Sequence, residues 1–331
     1  MPEPLLDVLD LKISFRTRHG TVTAVDGLSF SVAPGEVLGV VGESGSGKSV
    51  SMLGVLGLIR DPNATVSGQV LFRGRDLVAI PEKELRTLRG RDIAMVFQDP
   101  MTALTPVYTV GWHIAEQIRT HENVSRRGAR ARAVQLLEEV GIPDAGSRVD
   151  SYPHEFSGGM RQRAVIAMAM ACGPALLIAD EPTTALDVTT QAQILDLMRR
   201  QNAGGSAIVL ITHDMGVVSE IADRVLVMYG GRAVEEGPRR EVFRTPRHPY
   251  TWGLLDSVPR VLGPRLRRLP AIPGLPVSPL DTPAGCAFAP RCGLRHPACD
   301  ERPALAGDGH RDACWLPTDN RAALRRKEAT P

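Results

Sequence analysis

The sequence predicts an α/β fold followed by a small irregular C-terminal region, and three observations predict it. Val37-Leu-Gly-Val-Val41, Leu176-Leu-Ile-Ala179 and Ala207-Ile-Val-Leu-Ile211 are short runs, apolar on both faces and far apart in the chain. Such runs suit the buried strands of a parallel sheet. Segments of helical period lie between them, among them 129–140, with leucines at 136 and 137 among charges, and 191–200. The third observation is compositional. Of 26 prolines, 15 fall in the last 94 residues, together with four of the five cysteines. Proline resists long helices and central strands, so the texture changes after Gly237.

The split predicts two domains, a body over 1–237 and a proline- and cysteine-rich region over 238–331. A body of that size buries an ample core without disulfides. Within it, residues 100–172 carry few strand-like runs and read as a helical insertion. Arg224-Val-Leu-Val-Met-Tyr229, Gly230-Gly231 and Arg232-Ala-Val-Glu-Glu236 read as a hairpin with a two-residue turn.

Charge and hydropathy exclude several classes. Net charge is +2, from 39 basic and 37 acidic residues, so no basic face is forced and nucleic-acid binding is not the expectation. The longest pure apolar run, 164–172, is nine residues, too short to span a membrane as a helix. Met-Pro-Glu-Pro at the start lacks the basic and apolar regions of a signal peptide, which predicts a cytoplasmic chain with reduced thiols.

Gly42-Glu-Ser44-Gly45-Ser46-Gly47-Lys48-Ser49 is a complete G-x-x-x-x-G-K-S directly behind the 37–41 strand. Glycines let the backbone N–H groups wrap a phosphate, and the helix that starts here adds its positive end. Lys48 can reach the β- and γ-phosphates, and the Ser49 hydroxyl can ligate Mg²⁺. The strand at 176–179 ends in Asp180 and Glu181. A carboxylate there can bind Mg²⁺ and its neighbour can polarise a water as general base. A solvated strand end is the bland alternative. Ser157-Gly158-Gly159-Met160 precedes an apolar stretch. It can offer a phosphate a helix N-terminus, or Ser157 can simply cap that helix.

The order of these motifs carries a resemblance. The G-x-x-x-x-G-K-S loop, Phe156-Ser-Gly-Gly-Met160, the Asp180-Glu181 strand and Ile211-Thr-His213-Asp, with Gln98 in Phe97-Gln-Asp-Pro and Ala185-Leu-Asp187, resemble the nucleotide-binding subunit of an ATP-binding cassette transporter. The resemblance implies a P-loop NTPase: a RecA-like parallel core with an antiparallel β subdomain and a helical insertion. It gives Glu181 the general base and His213 the γ-phosphate switch. Gln98 and Asp180 organise Mg²⁺ and water. Ser157, Gly158 and Gly159 meet nucleotide bound to the opposite subunit, and Asp187 sits at that dimer interface. Phe15 falls at the adenine-stacking position; a core aromatic of an early strand is the other reading. A signature ending in Met160, where the broad consensus has Gln, resembles that of one of two paralogous ATPases; this favours a heterodimer, with a homodimer as the alternative.

Arg247-His-Pro-Tyr250-Thr-Trp and the cysteine region are similar to the C-terminal extension of oligopeptide and dipeptide importers. That likeness implies import of peptides at the cytoplasmic face of the membrane. The implied partners are two transmembrane permease subunits and, indirectly, an extracytoplasmic binding protein. Nickel or another small solute is the alternative cargo, and a soluble ATPase outside transport the remote one. Cys286, Cys292, Cys299 and Cys314 are separated by five, six and fourteen residues. Zinc sites usually use closer pairs, whereas iron–sulfur centres take varied spacings. The resemblance implies a 4Fe–4S cluster; zinc, bare thiols and labile disulfides stay open. Cys172 reads as a small core residue, and His296 and His310 as plain turn residues.

Overall fold

The computed structural model describes residues 3–184, 186–258 and 271–328. In chain order the first strands are β1 (Leu6–Thr17), β2 (Gly20–Val32) and β3 (Val37–Val41), followed by α1 (Lys48–Val55), β4 (Ala64–Phe72) and β5 (Arg75–Asp76). Then come α2 (Glu82–Leu88), β6 (Ile93–Val96), α3 (Pro100–Ala103), α4 (Val110–His121), α5 (Arg126–Glu139), α6 (Ala145–Arg148) and α7 (Gly158–Met170). β7 (Leu176–Asp180), α8 (Val188–Ala203), β8 (Ala207–Thr212), α9 (Met215–Ile221), β9 (Arg224–Tyr229) and β10 (Arg232–Pro238) follow. The rest comprises α10 (Arg239–Arg244), α11 (Pro249–Asp256), β11 (Arg311–Asp312) and α12 (Arg321–Glu328). The chain forms two compact units.

One unit is built mainly from 79–211. Its sheet places β7 between β8 and β6, all parallel, with Leu176 opposite both Ala207 and Ile93. Every residue of β7 is buried, which is why the strand reads as a continuous apolar run. Residues 100–172 hold the helices α3 to α7 and no strand. Ala129, Ala133 and Leu137 form the buried stripe of α5, and Ile114 and Ile118 that of α4. The spacing of four puts each set on one helix face, and alanine lets the partner helices come close. Thr109, Ser125, Ser157 and Asp187 cap α4, α5, α7 and α8, each accepting a backbone N–H. Cys172 lies just past the end of α7 and is half-buried, not fully in the core.

The other unit holds the remaining strands and the C-terminal region. One sheet runs β2-β1-β4-β5, with β1 and β4 antiparallel and a bulge between Leu9 and Lys12. The second set runs β11-β10-β9-β3, with β3 parallel to β9. β9 and β10 form the expected hairpin, with φ of 55° and 78° at Gly230 and Gly231. Prolines sit at the starts of elements here instead of interrupting them: Pro249 opens α11, Pro297 opens the 3₁₀ turn Pro297–Asp300, and Pro290 is the second residue of the 3₁₀ turn Ala289–Arg291. Of the proline-rich 259–283 stretch, 259–270 lies outside the described residues, and 271–283 forms no helix or strand.

Candidate functional site

The phosphate-type loop leaves β3 at Gly42 and closes at Lys48, the first residue of α1. A Cβ at Gly42 would lie 2.2 Å from the Met228 carbonyl oxygen, and one at Gly47 2.5 Å from that of Ala24. Both positions have positive φ, 153° and 96°. Glycine is therefore required by close backbone approach as well as by conformation. Gly45 has open space at its Cβ position, and Ser44 and Gly45 are exposed at the apex. Lys48 is buried, and its Nζ donates to the carbonyls of Gly42 (2.7 Å) and Glu43 (2.9 Å) and lies 3.4 Å from Ser46 Oγ. A cationic head inside a ring of curled backbone, ahead of a helix N-terminus, suits an anionic polyphosphate. Ser49, in the first turn of α1, is half-buried. Phe15 sits on the face of β1 that carries Leu11 and Ile13 but is half-exposed, so it is not sealed in the core. His213 is exposed directly after β8, next to Asp214, which caps α9. Each of these residues belongs to the second unit.

In the first unit, Asp180 is the buried last residue of β7. Glu181 follows with φ of 47°, a left-handed backbone that costs a non-glycine residue about 1–3 kcal/mol. Its N–H donates to the Ile211 carbonyl at 2.9 Å, which holds the turn. One carboxylate oxygen, Oε2, accepts from Thr184 Oγ1 at 2.9 Å and from Gln98 Nε2 at 3.3 Å. The structure thus brings Gln98 and Glu181 together, and it adds Thr184, which the sequence reading did not single out. A solvated strand end would need no such strain. Ser157 is exposed and its Oγ accepts from Met160 N at 3.3 Å, so the capping reading holds within the chain. Gly158 is open above, and a Cβ at Gly159 would make ordinary contacts with Thr190 and Leu186. Asp187 accepts from Thr190 N (2.9 Å) and Oγ1 (2.7 Å). These bonds hold its carboxyl below the usual carboxylate range. Ala185, beside it in the motif, lies outside the described residues.

The four C-terminal cysteines are free and line one small, largely apolar cavity with Phe288 and Trp315. Burial pushes the Cys292 and Cys314 thiols up to about 11 and also raises Cys286. Among the described residues, no group of three or more His, Cys, Asp or Glu side chains is arranged to hold a metal ion. His310 is not a plain turn residue. It is buried, its Nε2 lies 2.7 Å from Glu235 Oε1, and that fully buried carboxylate also accepts the N–H groups of Arg247 and His248.

His248 supplies a pH prediction. Burial lowers its pKa to about 4, and its Nδ1 accepts the Tyr250 N–H. The folded chain therefore keeps this ring neutral where the unfolded chain, at about 6.5, takes a proton. The stability it contributes is present above about pH 6.5 and is lost as pH falls toward 4, by about 3 kcal/mol. Urea denaturation of the chain and of His248→Gln should show the shallower decline in the variant. Parallel curves would contradict this.

Glu43, Tyr250 and Arg291 form a further group that no motif in the sequence marks. Tyr250 is fully buried and its hydroxyl accepts the Glu43 N–H at 2.7 Å. The Arg291 guanidinium grips both Glu43 carboxylate oxygens. Glu43 occupies one of the freely varying positions of the loop motif, so nothing in the motif marks it.

Comparison with known proteins agrees with this geometry. The ABC transporter family profile matches residues 25–184, and the profile of the oligopeptide/dipeptide transporter C-terminal region matches 234–299. The dipeptide transport ATP-binding protein DppD of Bacillus subtilis is 50% identical over 325 residues, 97% of this chain and 96% of its own. A Brucella melitensis chain, provisionally named a peptide import ATP-binding protein, is 53% identical over 309 residues, covering 90% and 91%. Among solved structures, the ATP-binding cassette MJ0796, a dimer bound to ADP and Pi, aligns with a TM-score of 0.64 at 26% identity over 71% of this chain and 99% of that one. cbiO1 of Clostridium perfringens, part of the transporter complex cbiONQ, gives 0.60 at 29% identity over 73% and 92%. Likeness of this extent, running from the phosphate-type loop through the cysteine region, places the chain in the ATP-binding cassette family of transporter ATPases, in its peptide-importer branch.

Proposed function

We propose that this chain is the ATPase subunit of an importer for oligopeptides or dipeptides, with an ATPase body over 1–237 and a C-terminal extension over 238–331. The observation that carries the cargo is the near full-length identity to a dipeptide transport ATP-binding protein, extension included. Bound ATP with Mg²⁺ supplies an electrophilic γ-phosphoryl group to an in-line water. Lys48 and the N–H groups of 42–49 hold the phosphates, with Phe15 against the adenine. Ser49, Asp180 and Gln98 hold the metal and order water. Glu181 accepts the proton of the attacking water, oriented by Thr184 and Gln98. His213 contacts the γ-phosphate end.

Ser157, Gly158 and Gly159 complete the site of a partner ATPase, and Asp187 lies at that contact. The exposed Ser157 and the open face of Gly158 support this, as does the dimeric form of MJ0796. The partner is a paralogous subunit. Among the described residues no helix is long and apolar enough to cross a membrane, so two permease subunits supply the path. They dock at the cytoplasmic face over 98–115. There Tyr108 and Trp112 stack at 3.9 Å and both are exposed, beside a cavity lined by Thr109, Ala115, Arg119 and Arg130. An extracytoplasmic binding protein delivers the peptide.

Cys286, Cys292, Cys299 and Cys314 hold a 4Fe–4S cluster. What supports this reading is that all four thiols line one small apolar cavity. Two measurements test the proposal. The full complex in liposomes should show ATP hydrolysis stimulated by the binding protein loaded with dipeptide; stimulation by a nickel-loaded or sugar-loaded protein instead would replace the cargo. Anaerobically purified chain should contain about four iron and four sulfide. A colourless, iron-free preparation would remove the cluster and leave the ATPase reading intact.

A further inference from the structure

Glu43 is the second residue of the phosphate loop and the point where the C-terminal region grips it. Its N–H is held by the Tyr250 hydroxyl, and its carboxylate receives Arg291 in a two-pronged pair, Nη1 to Oε2 at 2.5 Å and Nη2 to Oε1 at 3.1 Å. Its carbonyl accepts from the Lys48 ammonium and from the Ser46 N–H. One residue therefore joins the C-terminal region to the lysine and to the curl of the loop. The grip is rigid. The Arg291 side chain is only 4% exposed. Its Nε donates to the Pro273 carbonyl at 2.7 Å, its Nη1 lies 3.3 Å from the Tyr229 hydroxyl, and its head lies over the rings of Tyr229 and Phe288. A planar guanidinium fixed on several sides sets the position of what it binds. Burial opposes its charge, but the Glu43 and Tyr229 bonds outweigh that and keep it firmly protonated.

Resting on the nucleotide reading of the loop, we propose that Arg291 and Tyr250 are positioning residues of the ATP site: through Glu43 they fix the phosphate loop and thereby set nucleotide affinity. Neither residue needs to touch nucleotide. The grip starts one residue before Cys292, in the turn whose Phe288 and Ala289 line the thiol cavity. The C-terminal region is thus part of the nucleotide site.

The test measures binding of a fluorescent ADP with Mg²⁺ to the full chain, beside thermal midpoints. Arg291→Met should weaken binding by about tenfold, equal to about 1.4 kcal/mol. Arg291→Lys, which keeps the charge but not the fork, should recover part of that loss. Tyr250→Phe deletes one hydroxyl, leaves the rings, and should weaken binding by about threefold, the effect of one hydrogen bond. The double variant should lose less than the product, because both act through Glu43. A wild-type chain that fails to bind ADP would sink the nucleotide reading itself. Wild-type binding with unchanged affinity in Arg291→Met, whatever its midpoint, overturns the positioning role. Should Arg291→Met not fold, unchanged affinity in Tyr250→Phe overturns it equally.

Discussion

Replacing Glu181 by Gln is expected to cut steady-state ATP hydrolysis by about 10²–10⁴-fold, the span of a lost general base. The same variant should bind ATP as tightly as the parent. Gln has the shape of Glu, so its amide oxygen can still accept from Thr184 Oγ1 and Gln98 Nε2, and the turn at φ 47° is untouched. What disappears is the capacity to take a proton from water. Trapped, unhydrolysed ATP should then hold the ATPase pair together, visible as a shift in size-exclusion elution with ATP and not with ADP. Thr184→Ala should show a milder loss, since it frees the carboxylate to rotate without removing it. Near-normal turnover in Glu181→Gln would place the base elsewhere.

How much of this was legible depends on whether a residue's role is local. The 42–49 loop was readable because close backbone approach at Gly42 and Gly47 excludes any side chain, so composition records geometry. The β9–β10 hairpin was readable for a like reason, its turn being two glycines with positive φ. The helical 100–172 stretch followed from the scarcity of strand-like runs. The β2-β1-β4-β5 sheet was not visible in apolar runs. Its strands are half-exposed, and β1 mixes Asp10 and Lys12 with Leu11 and Ile13, so only resemblance pointed to an antiparallel subdomain. Glu181's left-handed backbone left no trace either, because glutamate does not favour it. The pair of Glu43 with Arg291 spans 248 positions and joins a variable loop residue to the residue directly before Cys292. His310 was misread for the same reason: its partner Glu235 lies 75 positions away.

Lys48→Ala should have the largest effect on binding, a loss of about 10²-fold in affinity for ATP, within the range for truncating one member of a buried charged pair. Two losses combine. The phosphates lose a cation fixed within hydrogen-bond reach of the loop. The loop loses the donor that ties its far end to the carbonyls of Gly42 and Glu43. The second loss predicts something that simple charge removal does not. Lys48→Arg retains the charge, yet a five-donor planar head cannot occupy a buried position shaped by two carbonyls and Ser46 Oγ, so it should bind ATP little better than Lys48→Ala. Ser49→Ala, by contrast, should weaken binding mainly when Mg²⁺ is present. Isothermal titration of each variant with ATP, with and without Mg²⁺, separates the three cases. Full recovery of affinity in Lys48→Arg would mean that charge alone, and not the shape of the loop around its ammonium, sets the affinity.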